Sequence, residues 1–180
     1  MSNVLVFSPK YKLDSQKNYT DFISFAKNKL TLFSDNEFES PKGVQKGWDC
    51  DKWSWNTKKN KKLTIVFGKS VSHSEYIPFK PPFSDFAKAY VRYQQSLNYK
   101  YSTGWASSLV WLYSAMEENA IHNDRTNVDI MDLNNTTINR VEELIKNSKL
   151  SAGSKRNVAL SFEKVCKSTY QNSKDFFSLT

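Results

Sequence analysis

FAKAYVRYQQSLNYKYSTGWASSLVWLYSAMEEN, Phe86 to Asn119, has the pattern of two helices joined at a tight corner. In the first, Phe86, Ala89, Tyr90, Tyr93 and Leu97 recur at helical spacing, and Ser84 stands where an N-cap belongs. In the second, Trp105, Leu109, Leu112 and Met116 share a face, with Ser102 or Thr103 as the cap. From Ser102 to Asn119 there is no Lys or Arg, and the helix is apolar around most of its circumference. Such a helix belongs at the centre of a bundle. Trp105 and Trp111 are therefore read as core rings rather than base-stacking platforms. Trp111, off the main stripe, is the better candidate for an exposed ring. The first helix places Lys88, Arg92 and Gln95 on one polar face. In isolation, like charges four apart repel by about 0.2–0.5 kcal/mol. The face is either an ordinary solvated one or a surface that meets a polyanion.

Two more helices follow toward the C-terminus. Ile138, Val141, Leu144 and Ile145 predict one over Asn134 to Asn147. Ser151 or Ser154 starts another, with Val158, Phe162, Val165 and Cys166 facing inward. The fold class expected is mainly α: a four-helix bundle over 84–180, preceded by a small α+β module over 1–77. Between them, Pro78, Pro81 and Pro82 in YIPFKPPF predict an extended linker over 78–83, because each proline stiffens the chain and removes a donor. In the N-terminal module NVLVFS, Asn3 to Ser8, reads as a strand and Asp14 to Phe33 as a helix. Trp53 and Trp55 alternate across Ser54 in GWDCDKWSWN, as on a strand, and LTIVFG is β-rich. KKNKK then lies in the connection of a hairpin. Its Lys58, Lys59, Lys61 and Lys62 make either a solvated turn or a basic loop that touches phosphates.

The net charge of +8 and pI of about 9.3 favour a polyanionic partner without specifying it. Most of the charge lies early: residues 1–80 hold fourteen Lys and eight acids, net +6, and the remainder is net +2. Hydrophobic residues at 39% suffice for a core. Cys50 and Cys166 are the only cysteines, which excludes a disulfide framework and fits a reducing cytoplasm. His73 and His122 have no ligand cluster at metal spacing, so neither metal nor cofactor is expected. No apolar run approaches membrane length, and the N-terminus lacks a signal-peptide pattern, so no membrane partner is expected.

The corner chemistry narrows the choice. A helix N-terminus carries unpaired N–H groups and partial positive charge, and so accepts an oxyanion. Lys100, Ser102 and Thr103 sit at the start of the second bundle helix. The fourth repeats the device with Ser151, Ser154, Lys155 and Arg156, then Lys164 and Lys167 on its outer face. Capping alone accounts for the serines; two similar starts together point to phosphate.

Residues 83 to about 177 resemble the core-binding, SAM-like domain of a phage-integrase-type tyrosine recombinase. The resemblance is carried by FSDFAKAYVRY, YKYSTGWASSLVWLYSAMEE, NVDIMDLNNTTINRVEELI and LSAGSKRNVALSFEKVCK. It implies a four-helix bundle forming one jaw of a clamp on double-stranded DNA, acting in DNA integration and recombination. It extends phosphate or groove contact to Lys100, Ser102, Thr103, Lys155 and Arg156, beside Lys88, Arg92, Lys164 and the KKNKK lysines. The family's catalytic domain, with its Arg, Lys, His and Tyr set, would follow the bundle, and this chain stops at Thr180. HNDR, His122 to Arg125, has the family's His-x-x-Arg spacing but falls between two bundle helices. Tyr170 has no arginine cage in the sequence. No catalysis is expected of this chain. It reads as the DNA-binding N-terminal portion of a recombinase, able to form a homo-oligomer on DNA. The alternatives are a non-enzymatic DNA-binding regulator or accessory factor, or a protein-interaction module. Residues 1–80 do not match the family's usual arm-binding order, and their hairpin serves either DNA or a partner protein.

Overall fold

One helix, α3 (Thr103–His122), is the element on which the C-terminal half packs. The computed structural model describes residues 15–30, 48–56, 62–72, 75–96 and 103–169. Along the chain these residues form α1 (Ser15–Asn28), β1 (Lys52–Asn56), β2 (Lys62–Val66), β3 (Gly68–Ser70), β4 (Tyr76–Pro78), α2 (Phe83–Ser96), α3, a 3₁₀ turn (Ile130–Asp132), α4 (Asn135–Asn147) and α5 (Ala152–Thr169). The described part is mainly helical with two small antiparallel sheets.

α3 touches α2, α4 and α5. Trp105, Ser108, Leu109, Leu112, Tyr113, Ala115, Met116 and Ala120 are all buried, on more than one face, as its largely apolar sequence without Lys or Arg predicts. It ends where Asp124 takes a left-handed φ of 54°. Arg125 N then donates to Ala120 O and Asp124 N to Ile121 O, which closes the last carbonyls. α4 starts at Asn134, whose side chain accepts from Thr137 N, and buries Thr137, Val141 and Ile145 at successive turns. Ser151 Oγ accepts from Ser154 N at the head of α5. That helix turns Val158, Ser161, Phe162 and Val165 inward. These starts and stripes match the sequence expectation because both are local.

β1 and β2 pair in register Trp53↔Ile65, with Ser54 and Thr64 hydroxyls bonded at 2.9 Å. β3 and β4 pair through Gly68↔Pro78. Phe67 joins the two sheets: its N–H donates to Asp51 O and its carbonyl accepts from Phe79 N. Gly68 is obligatory here, since a Cβ would stand 2.5 Å from Ile77 O.

The proline stretch is not a linker. Tyr76–Pro78 is β4, and Phe79 is buried, stacked on Tyr113 at 4.7 Å and edge-on to Phe83. Tyr19 donates its hydroxyl to Pro82 O, tying α1 to the same stretch. One continuous set of buried apolar residues runs from Tyr19 to Val165. The boundary expected at 78–83 is crossed by this core, because the prolines alternate with Phe79 and Phe83, whose burial outweighs the stiffness of the backbone between them. Ser84 likewise lies inside the first turn of α2, its N–H on Lys80 O, rather than at the cap. The strand expected at Asn3–Ser8 and the connection Lys58–Lys61 lie outside the described residues.

Candidate nucleic-acid interface

α2 does not present the cationic face that its sequence suggested. Phe86, Ala87, Ala89, Tyr90 and Val91 are buried, because α1 and α3 pack on the helix and Trp48, Asp51, Trp53 and Phe67 reach it. Lys88 is buried with them, its ammonium 3.2 Å from Asp51 Oδ1 and over the Phe67 ring. Arg92 is half-buried. Its Nη1 donates to Ala26 O and Lys27 O at the C-terminal end of α1, and its guanidinium lies 5.7 Å from the Trp48 ring centre and 6.0 Å from that of Trp53. Burial lowers the Arg92 pKa. Trp48 is held by its own indole N–H on Asp85 at 2.7 Å. Both cations are thus used inside the molecule, where a carboxylate, carbonyls and aromatic faces replace their water. The side chain of Gln95 lies outside the described residues.

Lys58, Lys59, Lys61, Lys100 and Ser102 lie outside the described residues; Lys62 opens β2 and Thr103 opens α3, with side chains outside them as well. Trp105 is buried and Trp111 packs against the core, so both tryptophans of α3 act as spine. Arg125 of HNDR is engaged by Asp132 at 2.6 Å, and His122 is the last residue of α3.

What remains open is the turn between α4 and α5. Arg156 and Lys164 are exposed on α5. Lys155 donates to Lys146 O at 2.7 Å, which closes a terminal carbonyl of α4 and brings the two lysines together. Lys146 and Lys149, also exposed, join them. No acid occupies the first turn of α5. Lys146, Lys149, Lys155 and Arg156 therefore lie close along the chain to a helix start with no acid in its first turn, an arrangement that concentrates positive potential on one corner. Lys146 and Lys149 were not among the residues expected from the sequence, because they join the corner only through the turn of α4 onto α5.

Next to this corner, α4 and α5 leave a groove of about 640 Å³ floored by Ile138, Ile145, Ala159, Leu160 and Phe162. Cys166 closes its far end. Burial, then Glu142 and Glu163, push this thiol up to about 12. At pH 8 an ordinary thiol is ionised about tenfold short of fully and Cys166 about a further thousandfold less, so alkylation slows in proportion. Peptide mapping after iodoacetamide is expected to find Cys166 unmodified under conditions that label a free thiol fully.

Among the described residues no three His, Cys, Asp or Glu are grouped to hold a metal, and no helix is long and apolar enough to cross a membrane. No family model, curated protein or solved structure matches the chain.

Proposed function

We propose that this chain is the DNA-binding N-terminal portion of a tyrosine recombinase, in which α2–α5 form a four-helix core-binding bundle that holds duplex DNA by its phosphates. The observation that carries the reading is the α4–α5 corner, where Lys155 bonds the Lys146 carbonyl and exposed Lys146, Lys149 and Arg156 flank in sequence a helix start with no acid in its first turn. Phosphate oxygens would meet the positive end of the α5 dipole and the adjacent cations together. The sequence resemblance over residues 83 to 177 supplies the recombinase context, and Lys100, Ser102 and Thr103 at the head of α3 supply a second contact in this reading. The reading assigns binding and positioning to these residues and no bond-making step.

Contacts of this kind carry no base information. Arg156→Ala is expected to weaken binding to all duplexes alike and to flatten the plot of log affinity against log salt by about 0.9, the counterions of one phosphate. Fluorescence anisotropy at four salt concentrations on two unrelated duplexes measures both. An unchanged slope and affinity for Arg156→Ala and Lys149→Ala would remove the corner as the binding site. A loss confined to one duplex would make Arg156 a base reader.

A further inference from the structure

We propose that the α4–α5 groove is a self-association surface, on which two copies of this chain pair through antiparallel α5 helices about a two-fold axis near Ala159 and Leu160. The inference goes beyond the DNA reading and does not rest on it. Leu160 lines the groove and is 48% exposed, a large apolar side chain half uncovered. The charges around it are sorted by end. Lys146, Lys155 and Arg156 lie at the turn; Glu142 and Glu163 lie toward Cys166.

Arg156 and Glu163 are seven residues apart, two helical turns, and so share a face with Leu160 between them. An antiparallel copy turned about Leu160 sets the cationic end of one groove on the anionic end of the other, twice. Parallel pairing sets like on like. Ala159 adds no bulk, so the helices approach closely and each Leu160 enters the partner's groove beside Ile145. A foreign helix needs its own matching order of charges; a second copy of this chain carries it already, which is the self-complementarity a two-fold interface requires. Glu163 is held by Lys167 at 2.5 Å in the single chain, and both side chains are mostly exposed, so this pair opens at little cost. One helix and one groove per copy make a small interface, with Kd on the order of 10–100 µM.

Sedimentation equilibrium of the full chain reads this directly, with circular dichroism confirming that each variant keeps its helices. The wild type is expected to shift from monomer to dimer across the micromolar range. Leu160→Asp, at a half-exposed position that the single chain tolerates, is expected to weaken the dimer by about a hundredfold or more. Arg156→Glu and Glu163→Arg each weaken it roughly three- to tenfold, and the two together restore it, because both cross-pairs are then reversed. A chain that stays monomeric throughout overturns the proposal, as a groove built for another protein's helix would. So does a dimer indifferent to Leu160→Asp, or a double swap no better than the single ones.

Discussion

Phe79→Ala is expected to destabilise the whole protein by about 3–5 kcal/mol, the usual cost of removing a large buried ring. Phe79 is 3% exposed, its ring stacked on Tyr113 of α3 and edge-on to Phe83 of α2. Its N–H donates to Phe67 O, at the junction of the two sheets. The ring therefore sits where the β segments, α2 and α3 meet, and the cavity left by alanine is walled by all three. Neighbouring side chains cannot collapse into it without moving an element. Urea unfolding followed by far-UV circular dichroism and by tryptophan fluorescence tests this. Both signals are expected to move together to lower urea, since one core joins the tryptophan-bearing segments to the helices. A fluorescence transition that shifts while the helical one stays would restore two separate modules hinged at 78–83.

Arg92→Ala is expected to cost about 2–5 kcal/mol, from about 1.5–3 for its charged hydrogen bonds and about 0.5–2 for its aromatic contacts. The guanidinium closes two carbonyls at the end of α1 and lies against Trp48 and Trp53. Its Nε is buried without a hydrogen-bond partner. Removal leaves carbonyls of α1 open and unseats two rings. The same variant, once folded, should keep the salt slope of DNA binding, since a cation enclosed by rings and carbonyls releases no counterion from a phosphate. A stable Arg92→Ala with a flattened slope would return Arg92 to the interface.

These two residues show where the sequence was legible and where it was not. The helices α3, α4 and α5 and the β1–β2 hairpin are written in short-range terms. Leu109, Leu112 and Met116 repeat at helical spacing, Asn134 and Ser151 cap within three residues, and Trp53 stands across from Ile65 over one connection. The corner residues Lys155 and Arg156 were readable for the same reason: a helix start is a local event. Lys149 and Lys146 were not, because their part in the corner depends on α4 and α5 turning back on each other.

Lys88 and Arg92 sit on a helix whose own pattern has a polar face, and nothing within a few turns says what covers it. The cover comes from far along the chain. Asp51 is 37 residues from Lys88, and Ala26 is 66 from Arg92. The prolines of 78–83 pose the same problem, since backbone stiffness is local and the burial of Phe79 against Tyr113 is not. By itself the sequence determined the helices α1 to α5 and the β1–β2 hairpin, because hydrogen bonding and capping act over one turn; it did not determine β4. Only the tertiary structure decided which cations face water, because that depends on which distant surface gains most by excluding it.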